Sequence, residues 1–297
     1  MQRYVFIAAV LAVSFARANN PYISHVWDYS PAPGQFVNSM PSYEEGDDAD
    51  DMRMKAEEAI ADNNRGMISL GGWGGFVVFG FDHMVANRPE ANDLLVLGNA
   101  FEGSSEPGIV LVSYDTNGNG RPDDEWYELA GSEYSNPLTV HDYTVTYRRQ
   151  EAGKGYPQWA EEDELTFSGS RLPDNYEDLS GEGTYYVLYA YPYGYADNQP
   201  NDSPQAQLDI DWAVDKDGNP ANLPGIHFVK VYTALHQECG WLGETSTEIM
   251  GAEDLGMTQG MEAFSIQPSA VSKRLINGQL YIIRGEHRYT LTGTMIE

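Results

Sequence analysis

The residues from Asp115 to Glu125 carry oxygen-bearing side chains at the spacing of a calcium-binding loop. Aspartate or asparagine fills positions 1, 3 and 5, glycine at position 6 allows a sharp turn, and position 7 offers a backbone carbonyl. Such oxygens surround a hard cation. The pattern therefore predicts a structural Ca²⁺ held by Asp115, Asn117, Asn119, the carbonyl of Arg121, Asp123, and a closing carboxylate from Asp124, Glu125 or elsewhere.

This loop departs from an EF-hand because Trp126 stands at position 12, where a bidentate glutamate belongs. Strands are predicted on both sides of it, so a solvated Asn-Gly hairpin turn is the alternative. A second acidic stretch, from Asp197 to Asp211, offers carboxylates for another ion, but its Asp, Asn and Pro content is equally typical of an ordinary loop, and we predict a loop.

Tyrosines dominate the odd positions from Tyr185 to Tyr195. In a strand they would share one face, which forms either the core of a sandwich or a platform for stacking on a sugar or another flat ligand. Pro192 and Gly194 interrupt the pattern near its end. We therefore predict a ligand-binding patch at Tyr193, Tyr195 and Trp212.

Signals for catalysis are weak. The sequence contains no G-x-S-x-G elbow, no H-E-x-x-H pair and no phosphate-binding loop, and we predict no catalytic residue. The sequence has 45 acidic residues, so a pair of carboxylates that hydrolyses a glycoside is an alternative. Only the separation of two carboxylates in space identifies such a pair.

Charge and composition limit the possible functions. The 297 residues have a formal net charge of −28, which opposes binding to nucleic acid. The apolar content of 41% and aromatic content of 12% are sufficient for a sizeable core. One cysteine, Cys239, excludes an internal disulfide framework and a cysteine-based zinc site.

The first 18 residues have the three parts of a secretory signal peptide. Arg3 gives a positive start, an apolar run extends from Val5 to Ala16, and Ala16-Arg17-Ala18 is a cleavage site. The run is too short to span a bilayer and no cysteine follows it, so we expect export without an N-terminal lipid. No later segment is predicted to cross a membrane.

The elements that must position these residues are mostly strands. Acidic residues ahead of Met52, Ala56 and Ile60 predict one short helix. Five apolar segments separated by turn residues then predict an all-β jelly-roll or Greek-key sandwich, with strands at Phe76–Phe81, Ile109–Tyr114, Tyr143–Tyr147, Thr184–Tyr191 and Phe228–Tyr232. We expect a sandwich domain over 19–258, a linker over 259–272, and a small hairpin over 273–297 that is either docked or a sorting tail.

Several distinctive runs resemble a family of Bacteroidota cell-surface proteins: Pro31–Val37, Ser69–Gly72, Phe79–His83, Ser105–Ile109, Asp115–Gly131 and Cys239–Glu248. The resemblance implies an exported jelly-roll-like domain without an established catalytic residue. Some members are encoded beside outer-membrane uptake systems, corrinoid uptake among them, which implies ligand capture beside an uptake receptor. The segment from Asn277 to Gly293 is similar to the C-terminal signals of the type IX secretion route.

These observations together predict a non-enzymatic, calcium-stabilised binding protein at the cell surface or outside the cell, with a glycan or a corrinoid as its ligand. A glycan-active hydrolase and a purely structural surface protein are the alternatives.

Overall fold

The computed structural model describes residues 20–240 and 243–258, and three further strands at 272–276, 279–284 and 287–289. The described α-helices are α1 (Ala49–Ile60), α2 (Arg149–Ala152) and a short helical segment at 255–258. The strands are β1 (His25–Ala32), β2 (Ile68–Ser69), β3 (Gly72–Ala86), β4 (Leu94–Leu97), β5 (Gly108–Ser113), β6 (Trp126–Leu129), β7 (Val140–Arg148), β8 (Glu164–Arg171), β9 (Tyr176–Asp178), β10 (Tyr186–Leu188), β11 (Gln207–Leu208), β12 (Ala213–Val214), β13 (Gly225–Thr233), β14 (Glu248–Ile249), β15 (Gly251–Asp254), β16 (Ser272–Ile276), β17 (Gln279–Arg284) and β18 (His287–Tyr289).

Helix α1 forms where the sequence predicts it. The Asp48 side chain accepts hydrogen bonds from the N–H groups of Asp50 and Asp51, and the Asp51 carboxylate accepts one from the Asp48 N–H, which completes a capping box. Its buried residues, Met52, Ala56 and Ile60, are four apart and therefore lie on one face. The helix ends at Ala61, which is extended.

The main sheet has six antiparallel strands in the order β1-β3-β13-β5-β6-β12. Strand β3 lies between β1 and β13, and most of its residues are buried, as the apolar run Phe76–Phe81 predicts. The described chain is therefore an antiparallel all-β structure, as predicted. Its jelly-roll connectivity stays a prediction.

One face of this sheet, the inner face, packs into the principal core. Val77 and Phe79 of β3 alternate inward with Val229 and Val231 of β13. They pack against α1 and against residues of the small sheet β11-β4-β15, including Leu94, Val96, Leu208 and Ala252. Burial of these side chains is the main stabilising contribution on this side of the sheet.

The opposite, outer face is only partly covered. The antiparallel hairpin β7–β8 crosses one end of it, where Trp73, Phe76 and Phe167 pack with Tyr143 and residues near it. The close approach depends on Gly74, which has a φ of +83° and whose added Cβ would lie 2.4 Å from the Phe167 Cβ. The hairpin leaves the middle of the outer face open as a cleft.

The tyrosine-rich segment does not form the predicted strand. Only Tyr186–Leu188 is a strand, β10, and it pairs with β9 alone. From Tyr189 onward the chain is irregular, and the side chain of Asn198 bonds the backbone N–H and carbonyl of Tyr191. The prediction that these tyrosines share one strand face is therefore wrong.

The C-terminal strands form a three-stranded antiparallel sheet, β16-β17-β18. Strand β17 lies within the predicted hairpin segment 273–297, but β16 begins at Ser272, inside the predicted linker, and the sheet has three strands where a hairpin has two. The predicted signal peptide and residues 259–271 of the linker lie outside the described residues.

Candidate ligand cleft and candidate metal centre

The open part of the outer face forms a cleft of about 460 Å³ between hairpin β7–β8 and the main sheet. Aromatic side chains line its walls: Phe76, Trp126, Tyr134 and Phe167. Charged and polar side chains converge on it as well: Glu128, His141, Asp142, Ser170, Asp215, Lys216 and Lys230. Apolar walls with a few convergent polar groups are typical of a ligand-binding site.

The floor of the cleft is set by strand register. Lys230 pairs with Leu111, and Leu111 pairs with Glu128, so these three side chains lie in one row on the outer face. Because neighbouring strands are about 4.8 Å apart, the backbones of Lys230 and Glu128 are about 10 Å apart on either side of Leu111. The row therefore presents an ammonium group, an apolar centre and a carboxyl group.

Glu128 is held by hairpin β7–β8. The Ser170 hydroxyl donates a hydrogen bond to Glu128 Oε2 at 3.1 Å, and the His141 Nδ1 lies 3.2 Å from the same hydroxyl. Burial raises the pKa of Glu128 to about 7, and the Ser170 hydrogen bond opposes this shift. Near neutral pH the carboxyl group is therefore present in both its acid and its ionised form.

The backbone of Ser170 is fixed by two buried aromatic residues. Its N–H donates to the Tyr232 hydroxyl at 2.9 Å, and its carbonyl accepts a hydrogen bond from the Trp73 Nε1 at 3.3 Å. Both partners come from strands of the main sheet, so the hairpin is bonded to the sheet at the residue that contacts Glu128. This arrangement gives the cleft a defined shape.

Lys230 approaches the cleft over an aromatic ring, with its Nζ 3.8 Å from the centroid of Phe76. Burial lowers the pKa of Lys230, and the charge of Asp28 acts in the opposite direction. A lysine in the otherwise apolar segment Phe228–Tyr232 is a signal that sequence reasoning missed. Glu128 is likewise a charged residue between Tyr127 and Leu129 in strand β6.

The other two carboxylates of the cleft have different surroundings. Asp215 closes a turn, and its Oδ1 accepts hydrogen bonds from the N–H groups of Asp217 and Asn219. The hydrogen bonds from Asn219 lower the pKa of Asp215, so it stays ionised when Glu128 is protonated. Asp142 is exposed on β7.

The predicted aromatic patch is brought together only in part. The ring centroids of Tyr193 and Trp212 are 5.1 Å apart, and Tyr193 is 41% exposed. Tyr195 is 2% exposed, fills the space above Gly131, and accepts a hydrogen bond from the Glu133 N–H. Its face is thus covered, and it supports the segment that carries Tyr134 to the cleft.

The predicted calcium loop joins β5 and β6 and is closed by its own hydrogen bonds. Asp115 accepts bonds from the N–H groups of Gly118, Asn119 and Gly120, and their combined effect lowers the pKa of Asp115 although desolvation raises it. The side-chain amides of Asn117 and Asn119 donate to Asp123. The structure therefore gathers these four side chains. Asp124 instead bonds Thr116, and Glu125 accepts from Tyr127.

A separate group of three acids lies in the interior: Glu106, Asp197 and Glu248 each offer a carboxylate oxygen, and these oxygens lie within 4.8 Å of one another. Asp197 accepts hydrogen bonds from the N–H groups of Asn99 and Glu248. This group can hold a metal ion. Two of the three acids lie in the distinctive runs Ser105–Ile109 and Cys239–Glu248, which is the signal in the sequence that could have identified them.

Electrostatics require that this acid group be neutralised. Burial raises the pKa of Glu106, Asp197 and Glu248, and in each case a neighbouring carboxylate raises it further. Three negative charges this close together, two of them on buried residues and one on the partly buried Glu106, are too costly without protons or a cation. The ligand atoms are all oxygens, which suits a hard divalent cation better than zinc or copper.

A scan against protein-family models and a search of curated proteins find no match for this chain. Among the helices that the structure describes, none has the length and apolar character needed to cross a bilayer. The function is therefore inferred from the geometry of the cleft and of the acid groups.

Proposed function

We propose that the protein is an exported, calcium-stabilised, non-enzymatic binding protein that captures a glycan in the cleft between hairpin β7–β8 and the main sheet. The observation that carries this proposal is the combination of aromatic walls with the polar row of Lys230 and Glu128. Sugar rings pack their C–H faces on aromatic rings and exchange hydrogen bonds with polar side chains.

Capture at the cell surface or outside the cell is part of this proposal. It is supported by the signal-peptide pattern of residues 1–18 and by the resemblance to Bacteroidota cell-surface proteins, which also introduces a corrinoid as the alternative ligand and an outer-membrane uptake receptor as the partner. A purely structural surface protein would have no use for the charged row in the cleft, so the cleft favours ligand capture.

Calcium is the proposed ion for two places. The loop from Asp115 to Asp123 has the spacing of a calcium site, and a cation there would replace the amide donors that satisfy Asp123. The buried acids Glu106, Asp197 and Glu248 have the oxygen chemistry of such a site. None of these proposed ligand residues lines the cleft, so the proposed role of calcium is structural.

The test compares the cleft with the surface patch. The full chain is titrated by calorimetry with a panel of neutral and acidic oligosaccharides and with cyanocobalamin, in calcium. We expect an oligosaccharide to bind, Trp126→Ala to weaken it at least tenfold, and Trp212→Ala to leave it unchanged. Trp126→Phe keeps an aromatic surface and separates lost stacking from lost folding. If Trp212→Ala loses binding and Trp126→Ala keeps it, the ligand binds at the aromatic patch of Tyr193 and Trp212 and not in the cleft. If cyanocobalamin binds and no oligosaccharide does, the ligand is a corrinoid and not a glycan.

A glycan-active hydrolase is the second candidate. The observation in its favour is that the cleft holds Glu128, whose pKa is raised to about 7 by burial, and Asp215, whose pKa is lowered by the hydrogen bonds of Asn219. An acid and an ionised carboxylate in one cleft are the usual division of roles in such enzymes. Release of reducing ends that Glu128→Gln abolishes would favour this candidate over simple binding.

A further inference from the structure

The ammonium group of Lys230 has no hydrogen-bond acceptor among the described residues. Its Nζ lies over the ring of Phe76, and among the residues that the structure describes it makes no hydrogen bond or ion pair. Its electrostatic partner is Asp28, which lies two strands away on the same row, beyond Val78. The three N–H donors of a half-buried lysine thus border the cleft without an acceptor among the residues that the structure describes.

The carboxyl groups that share the cleft are engaged elsewhere. Glu128 accepts the Ser170 hydroxyl on the far side of Leu111, and Asp215 is bonded within its own turn. Asp142 is exposed on hairpin β7–β8, with no ion pair to Lys230. The cleft therefore contains one cation whose charge the described residues leave without a direct partner.

We propose that the cleft selects an anionic glycan, in which a carboxylate or sulfate group accepts hydrogen bonds from Lys230 while the sugar rings pack against Trp126 and Tyr134. This inference rests on the proposed glycan-binding function. A sugar ring placed over Leu111 would lie between the strands that carry Lys230 and Glu128, whose backbones are about 10 Å apart. Charge-assisted hydrogen bonds to an ammonium group are shorter and stronger than neutral ones.

The acidic surface of the protein does not oppose this selectivity at close range. The formal net charge is −28, but exposed charges are screened over a Debye length of about 8 Å at physiological ionic strength. A pair formed inside a partly desolvated cleft is screened much less. The net charge therefore slows the approach of an anionic ligand, and the contact with Lys230 determines its preference.

The experiment uses a matched pair of probes, a galacturonate hexasaccharide and its methyl ester, which share the same sugar rings and differ in the charge of the carboxyl groups and in the ester methyl groups. A chondroitin sulfate hexasaccharide tests the sulfate form of the same chemistry. Calorimetry on the full chain is compared with Lys230→Met, which keeps an apolar stem over Phe76, and with Lys55→Met, a control in which the lysine pairs with Asp47 on the surface. Thermal melts verify that each variant folds.

We expect the wild type to bind at least one anionic hexasaccharide at least tenfold more tightly than the methyl ester. Lys230→Met should abolish this preference and change affinity for the ester less than twofold, while Lys55→Met keeps the preference. Equal or tighter binding of the ester, or a preference that survives in Lys230→Met, overturns the inference. If the ester binds and Trp126→Ala removes that binding, the proposed glycan capture stands without anion selectivity. If no oligosaccharide binds, both proposals fail.

Discussion

Replacement of Glu128 by glutamine should remove a pH-dependent loss of stability. An ordinary glutamate pKa of 4.5 applies in the unfolded chain, whereas burial raises the pKa to about 7 in the folded protein. Between these values the folded state holds a proton that the unfolded state has released. The free energy of unfolding therefore falls as the pH rises from 4.5 to about 7.

The difference between the two pKa values corresponds to about 3 kcal/mol, since one pKa unit is worth about 1.4 kcal/mol. Glutamine cannot ionise, and its side-chain oxygen still accepts the Ser170 hydroxyl. Relative to wild type, Glu128→Gln should thus gain about 3 kcal/mol of stability on going from about pH 4.5 to about pH 8. Other titrating groups contribute equally to both proteins and cancel in this comparison.

Urea unfolding followed by tryptophan fluorescence across this pH range measures the difference directly. Glu58→Gln, at an exposed position on α1, is the control and should follow the wild-type curve at every pH. A difference between wild type and Glu128→Gln that stays constant with pH would show that the carboxyl group is not kept protonated by burial, and it would refute the account of the cleft floor.

Three further predictions concern the metal sites, the hairpin and the tail. Calcium at a hundredfold excess over its dissociation constant should stabilise the protein by about 2.7 kcal/mol per site. Asp115→Ala and Glu248→Gln should each remove part of the resulting rise in melting temperature. If EDTA does not change the melting temperature of the wild type, neither site binds calcium. Gly74→Ala should lower the free energy of unfolding, measured by chemical denaturation, by about 1–3 kcal/mol more than Gly118→Ala does. Both glycines have a positive φ, but of the two only Gly74 has no room for a Cβ. Equal losses of stability would show that the hairpin does not pack tightly against the sheet at Gly74. Deletion of 273–297 should leave the melting temperature nearly unchanged and retain the protein in the periplasm, as cell fractionation can determine; a large fall in melting temperature with normal delivery to the surface would contradict a sorting role.

Local signals were sufficient for the elements that depend on local interactions. The capping residues and four-residue spacing around Met52 predict α1 because a helix is bonded within itself. The continuous apolar run at Phe76 predicts a central strand because both of its faces are buried. The alternating tyrosines were misleading because a strand also needs a neighbouring strand to pair with. The backbone N–H and carbonyl of Tyr191 bond the side chain of Asn198 instead of another strand.

The cleft and the buried acids could not be predicted in the same way. Ser170 and Glu128 are 42 residues apart in sequence, and their contact depends on how hairpin β7–β8 crosses the sheet at Gly74. The acids Glu106 and Glu248 come from segments whose proximity depends on the whole fold. What the sequence does show is each residue's departure from its surroundings, such as a lysine in an apolar strand.

Placing charged residues such as Lys230 and Glu128 in apolar strands lowers the stability of the fold, and this cost favours a functional role for the cleft. A sheet face covered by a hairpin is most stable when its side chains are apolar, yet the row beneath this hairpin contains a lysine and a glutamate whose neutral forms are both favoured by burial. Their combined effect lowers stability at neutral pH, where Glu128→Gln is expected to compare more favourably with wild type than it does at pH 4.5. Groups that lower stability and converge on one aromatic cleft are typical of a binding site, in which a ligand supplies the missing partner. An anionic sugar would do so for Lys230, so its tighter binding relative to the methyl ester and the extra stabilisation that this gives the folded chain should be lost together in Lys230→Met.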